Sequence, residues 1–316
     1  MKVLLIGNFG SGNIGDELIL ASSLRDYPNA VVMTADPAFS KKFCGRRMET
    51  VPFPPTGVRS ALRFLFSGKY RKEFSSLKGV GKVVFPGGGL FAIKFKACWI
   101  WKHVFQWAKR FQCPIELLHQ GVDEHLGFFS RLNTKFVLSH ADKVTVRDVG
   151  SVRAVKSICG KNVENEQDKL QSLIFNLQLK EETESGLKFK SPDSRNDGRE
   201  RIVLINARTK FSLEKLEGKF QDFRKIFVAF DRSDLKSVPE SFKGEVVYPQ
   251  TEREVFELFE KAKYAVGERF HFLLLGTHFC GTDHTFTLRE PYAEKVKSFC
   301  SAFHILPLDG GGLRRG

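Results

Sequence analysis

Two short stretches of this chain hold the residue types that do chemistry. The first is Gly12-Asn13-Ile14-Gly15-Asp16-Glu17, set directly after the apolar run Val3-Leu4-Leu5-Ile6-Gly7. Glycines there permit positive φ and let backbone N–H groups approach a ligand closely, while the two carboxylates can bind or deprotonate hydroxyls. The second is Gly267-Glu268-Arg269-Phe270-His271, directly after the apolar residues 264–266. Its arginine can clamp a phosphate or carboxylate at two points. Its histidine can donate a proton near neutral pH. Taken alone, an R-x-H triplet is equally the mark of a structural ion pair or a core histidine.

The elements around these stretches give them a place. Strand, glycine turn and helix start follow one another within residues 3–20, the layout by which open α/β sheets build a ligand site at a strand's carboxyl end. Asp16 and Glu17 fall in the first turn of the helix, where carboxylates suit its dipole. Gly10-Ser11-Gly12-Asn13-Ile14-Gly15 also matches G-x-G-x-x-G, and Asp36 stands where a ribose-binding acid would. A pyrophosphate on this helix start would meet two carboxylates at once, so a dinucleotide is disfavoured. Asp36-Pro37 reads instead as the turn closing a strand over 31–34. The plainer alternative is a strand–loop–helix that only supports the fold.

The same rhythm continues along the chain. A strand at 82–86 precedes a glycine turn, Gly87-Gly88-Gly89, and then a helix over 93–111. A short strand at 115–119 leads into a loop through Gln120-Gly121-Val122-Asp123, followed by a helix (129–139), a strand (143–146) and a helix (150–158). Residues 160–200 turn polar and charged, and periodicity resumes with strands at 201–206, 225–230, 245–248 and 264–266. This alternation predicts an α/β protein of two doubly wound Rossmann-like domains with a cleft between them. The domains are expected at 1–165 and 201–316, joined by a polar connection at 166–200, with the R-x-H element in the second.

Composition and charge narrow the function classes. With 316 residues and 42% hydrophobic content the chain can bury large cores, and no apolar run approaches the length of a spanning helix. Six scattered cysteines with no C-x-x-C pair read as reduced, mostly buried thiols of a cytoplasmic protein, and no metal-ligand spacing is visible. The net charge of +14 is lopsided: residues 1–160 hold 24 Lys and Arg against 11 acids. Residues 41–110 alone carry 16 bases and two acids, interleaved with aromatics such as Phe91, Trp99 and Trp101. That suits an anionic membrane face, at Lys69, Arg71 and Lys72 above all, or a polyanionic acceptor; a solvated basic face over core aromatics is the bland alternative. Residues 93, 97, 100, 104, 108 and 111 recur at helical spacing and are expected to face the core.

Five landmarks, in order, resemble the polysaccharide pyruvyltransferase family. They are Gly12 to Glu17, the triple glycine Gly87 to Gly89, the Gln120-Gly121-Val122 stretch, Val146-Arg147-Asp148-Val149-Gly150-Ser151, and Arg269 with His271. Tyr292-Ala293-Glu294-Lys295-Val296 echoes a sixth, with an aspartate replaced. Phe272 stands where the family has a small residue, and the glycine-proline stop is missing after His278. The resemblance implies transfer of a pyruvyl group from phosphoenolpyruvate to a glycan or lipid-linked sugar, forming a ketal, with no metal or organic cofactor and no nucleic acid partner. It implies His271 as general acid, Arg269 and Arg147 as clamps with Lys295 a third, and Asp16 or Glu17 at the acceptor hydroxyls. Gly12, Asn13, Gly15, Gly87, Gly88, Gly89 and Gln120 would line the substrates. Two rivals carry different expectations. A nucleotide-sugar glycosyltransferase of the same architecture needs a ribose-binding carboxylate, for which Glu290 is the candidate. A non-catalytic basic surface-binding protein needs only the charge.

Overall fold

The computed structural model describes residues 1–54, 77–91, 95–166, 168–171, 199–211, 214–289, 291 and 294–308. The chain divides into two compact units, Met1–Ser172 and Leu173–Gly316. The expected polar connection, the Lys69–Lys72 cluster and Glu290 lie almost wholly outside the described residues.

The first unit is built on a parallel sheet of eight strands among the described residues: β1 (Lys2–Ile6), β2 (Val31–Met33), β3 (Glu49–Val51), β4 (Val80–Phe85), β5 (Gly88–Phe91), β6 (Ile115–Val122), β7 (Lys143–Val146) and β8 (Glu164–Asn165). Their order is β3-β2-β1-β4-β6-β7-β8, with β5 beside β6. The helices between them are α1 (Ile14–Asp26), α2 (Pro37–Cys44), α3 (Phe95–Ala108), α4 (Phe128–His140) and α5 (Val149–Cys159). Strands such as Val3-Leu4-Leu5-Ile6 are buried along their whole run, as a sheet covered on both faces requires. Strand order reverses between β1 and β4, which makes that gap the topological switch point.

Several sequence expectations shift. Asp36 does not close a bare turn: its carboxylate accepts from the N–H groups of Ala38 and Phe39 and caps α2, with Pro37 in the first turn. The triple glycine is not all turn, since Gly88 and Gly89 belong to β5. Nor are Gln120 and Gly121 a loop, because β6 runs on to Val122. Leu117 pairs with Val144 and Gln120 with Val146, so β6 carries one residue more than β7 over that span. His119, at φ 52, absorbs the extra residue as a bulge. In α3 the fully buried side chains are Cys98, Val104, Phe105 and Ala108 with Trp101, while Ala97 and Ile100 pack at the margin. The core stripe is rotated from the expected one, and Trp101 and Phe91 are core residues rather than surface aromatics.

The second unit holds a parallel sheet of β9 (Ile202–Ile205), β10 (Arg224–Val228), β11 (Glu245–Val247), β12 (Tyr264–Gly267) and β13 (Thr285–Thr287), in the order β11-β10-β9-β12-β13. Its helices are α6 (Glu214–Lys219), α7 (Glu252–Lys261), α8 (Phe270–Phe279) and α9 (Glu294–Ala302). Here the order reverses between β9 and β12. Phe272 fills the core against Phe230 and Phe259, with ring centroids 5.4 and 5.2 Å away. Its ring lies over Gly267, where a Cβ would come within 2.3 Å of it. The large residue that follows the R-x-H element is thus matched by a glycine on the strand beneath. Among the described residues no helix is long and apolar enough to cross a membrane.

Candidate functional site

Each switch point gathers the polar residues of its unit. In the first, the loop leaving β1 and the glycines leaving β4 meet. Asn13 caps α1 by accepting from Gly15 N–H at 3.0 Å. Asn8 Nδ2 donates to Asp16 at 2.9 Å and to Ser11 Oγ at 2.9 Å, which fixes the Asp16 carboxylate over the loop. A Cβ on Gly88 would lie 3.3 Å from Asp16 Oδ1, so the two landmarks, far apart in sequence, are neighbours. Gly12, Gly87 and Gly88 take φ of 86°, 141° and 102°, a region that disfavours any side chain. Gly89 is exposed beside them.

Glu17 plays a different part from Asp16. It is fully buried, and its carboxyl group accepts from Gly10 N–H at 2.5 Å, pinning the loop. Burial raises its pKa from 4.5 to about 7, with the Asp16 and Asp36 charges adding to the rise. A carboxyl group raised in the folded state stabilises it at low pH, and that stability fades as pH climbs from the unfolded value through the folded one. Relative to Glu17→Gln, which keeps an acceptor for Gly10, the wild type is expected to lose roughly 3 kcal/mol between pH 4.5 and 7. Urea unfolding of both proteins across that range checks this; parallel pH profiles would contradict it.

Gln120 and Arg147 hold the edge of this sheet together. The bulge turns Gln120 inward, where its Nε2 donates to Phe85 O at 2.9 Å and Leu118 O at 3.0 Å, tying the ends of β4 and β6. The Arg147 guanidinium lies against Gly121, where a Cβ would fall 2.6 Å from Nη2. It is buried and donates to Asp168 at 3.0 Å, with Asp148 at 3.7 Å. Asp148 caps α5 through Ser151 N–H, and Val122 N–H donates to Ser151 Oγ. The V-R-D-x-x-S element is therefore a brace. Arg147, expected as an anion clamp, has its charge met by the buried Asp168.

In the second unit the switch point between β9 and β12 brings together Asn206, Arg208, Glu268 and Arg269. Arg269 N–H donates to Asn206 Oδ1 at 3.2 Å, and Arg208 N–H donates to Glu268 at 2.7 Å. Asp234, fully buried in a 3-10 turn (Arg232–Ser237) after β10, accepts from Arg269 Nε at 2.8 Å and from Nη2. The same carboxylate accepts from Asn206 Nδ2 and from the N–H groups of Phe230 and Asp231. Glu268 also pairs with Arg289. Arg269, expected as a clamp, is held by Asp234. The sequence reading missed Asn206, Asp234, Glu268 and Arg289. Their one visible signal was position just beyond the apolar runs of β9, β10, β12 and β13.

His271 sits half-buried in the first turn of α8. That helix begins at Arg269 with no side-chain cap and no acid in its first turn. The start of α1 is the opposite, capped by Asn13 and carrying two acids. An uncapped start at a sheet's carboxyl edge favours an anion; an acidic one does not. The Lys295 side chain lies outside the described residues.

No family model and no curated protein matches this chain. Solved structures do. UDP-GlcNAc 2-epimerase from Neisseria meningitidis, bound to UDP-GlcNAc, is 11% identical with a TM-score of 0.59, over 95% of this chain and 85% of that one. The Methanocaldococcus jannaschii UDP-GlcNAc 2-epimerase gives 12% and 0.57 over 97% and 88%. Anabaena HepE in complex with UDP and glucose gives 13% and 0.54 over 94% and 82%. At such identity the likeness is one of fold: the two-domain, parallel-sheet α/β architecture expected from the sequence. The expectation of pyruvyl transfer is corrected. These fold neighbours are nucleotide-sugar proteins, and both arginines assigned to phosphoenolpyruvate are committed to buried aspartates.

Proposed function

We propose that the chain is an enzyme acting on a nucleoside-diphosphate sugar, with glycosyl transfer to a hydroxyl of a glycan or lipid-linked sugar as the reaction. The observation that carries this is the start of α8 (Phe270–Phe279), which has no side-chain cap and no acid in its first turn and lies at the switch point of the second sheet. Its first-turn N–H groups and the helix dipole suit a diphosphate. His271, in that turn, donates to a phosphate oxygen as the bond from C1 of the sugar to the diphosphate breaks. The buried Asp234 holds Arg269 and hence the loop entering α8 in register, so that Arg269 is a positioning residue.

In the first unit Asn8 fixes the orientation of the Asp16 carboxylate beside the glycines of β5, a pairing suited to hold a sugar hydroxyl. Glu17 holds the loop that leads to Asp16. The fold neighbours solved with UDP-GlcNAc or with UDP and glucose support this choice of donor by analogy of architecture. Six thiols without a disulfide suit a reducing, cytoplasmic compartment.

The test is thermal unfolding in the presence of UDP, GDP, ADP and phosphoenolpyruvate in turn. A ligand bound only by the folded protein adds about 2.7 kcal/mol at a hundredfold its Kd. One nucleoside diphosphate is expected to raise Tm clearly and phosphoenolpyruvate to leave it unchanged. Stabilisation by phosphoenolpyruvate alone would overturn the proposal.

A further inference from the structure

The geometry points to a membrane-docking tip on the first unit, formed by the starts of α4 (Phe128–His140) and α5 (Val149–Cys159) and fitted to an anionic lipid surface. Soluble proteins seldom leave several large apolar side chains exposed together. Here Phe128 is 70% exposed, Phe129 66%, Leu132 50% and Val149 57%. Four of the eight exposed large hydrophobics among the described residues thus fall on two adjacent helix starts. The rings of Phe128 and Phe129 pack edge-on, 5.4 Å apart, so the pair is a stiff wedge rather than two loose side chains.

Charge decides what this tip faces. Neither helix contains an acidic residue, and together they carry Arg131, Lys135, Arg153 and Lys156. On α4 the exposed stripe runs Phe128, Leu132, Lys135; on α5 it runs Val149, Arg153, Lys156. Both stripes therefore read apolar first and basic further along. At 1.5 Å rise per residue, Lys135 stands about 10 Å behind Phe128. That matches the depth between the acyl boundary, where an aromatic wedge rests, and the phosphate plane, where a lysine can snorkel. Arg153 is met in part by Glu124, just before α4, and Arg131, in the first turn of α4, donates to Ser157 in the last turn of α5, so the two helices are tied side by side. The lopsided basic charge of residues 1–160 attracts the same surface at longer range.

Each of these helices follows the strand beside it, α4 after β6 and α5 after β7, so both begin at the carboxyl edge of the sheet. Asp16 lies on that same edge. Docking by the tip brings this edge to the lipid, where a lipid-linked hydroxyl acceptor is displayed; this consequence alone rests on the glycosyl-transfer proposal.

The test is flotation of the full chain with phosphatidylcholine vesicles, with and without phosphatidylglycerol. The wild type is expected to float with the anionic vesicles at low salt and not with the neutral ones. Phe128→Ser/Phe129→Ser should lower recovery at least tenfold, and Lys135→Glu/Lys156→Glu should do the same, each with an unchanged melting temperature. Recovery of the serine variant equal to wild type, or no recovery of wild type, would overturn the inference. So would a wild-type dimer on gel filtration that the serine variant dissolves, since a second copy would then cover the patch. None of these readouts needs turnover, so failure of the enzymatic proposal leaves the test intact.

Discussion

Asp234→Ala is expected to lower the stability of the second unit by about 3–5 kcal/mol, the cost of breaking an ion pair whose carboxylate is fully buried. The carboxylate is fully buried and, besides Arg269 Nε at 2.8 Å, serves three other groups: Phe230 N–H at 3.0 Å, Asp231 N–H at 3.1 Å and Asn206 Nδ2 at 3.2 Å. Alanine removes every acceptor at once and leaves Arg269 with Asp231 at 3.8 Å. Asp234→Asn keeps one acceptor oxygen and loses the charge, so its loss should be smaller, about 1–3 kcal/mol. Urea midpoints at unchanged m-value measure both. A loss below about 1 kcal/mol for the alanine variant would mean that the network is not what fixes the entry to α8.

The sequence carried the architecture because its signals were local. Val3-Leu4-Leu5-Ile6 followed by Gly12 to Glu17 states strand, turn and helix within one stretch, and α1 (Ile14–Asp26) starts where its cap and acids place it. Parallel sheets buried on both faces leave uninterrupted apolar runs, which is why β9 and β12 were legible as well. What stayed hidden depended on partners distant in sequence. Arg147 and Arg269 looked like open clamps because Asp168 and Asp234, 21 and 35 residues away, are ordinary acids until the sheet brings them under the guanidinium groups. The extension of β6 through Gln120-Gly121 was masked by the His119 bulge, which breaks the period-two pattern a strand is read from. Asp36-Pro37 was read as a turn although aspartate before proline is also a helix start; α2 is short and its eight residues give little periodicity.

The candidate site was legible as positions and not as roles. Asp16, Gly88, Arg269 and His271 all stand at switch points, as residues at the carboxyl ends of parallel strands should. Which of two adjacent carboxylates lies beside the glycines of β5 and which is sealed beneath the loop could not be read from Asp16-Glu17 alone. Packing separates them: Asn8 orients Asp16 beside Gly88, while Glu17 is sealed beneath the loop with its pKa raised to about 7.

Calorimetric titration of UDP into wild type and His271→Glu tests most directly whether a diphosphate rests on the first turn of α8 (Phe270–Phe279). The substitution places a carboxylate in a turn that has none, where it repels the phosphates and takes up the positive end of the helix dipole in their place. His271 is half-buried, so the added charge is only partly screened and the exchange needs no repacking of the core. UDP affinity is expected to fall by about a hundredfold or more, near 2.7 kcal/mol, with the melting temperature of the free protein little changed. His271→Ala, which adds no charge, should lose far less. Equal UDP affinity in the glutamate variant and the wild type would contradict the placement of the diphosphate and the proposed function with it.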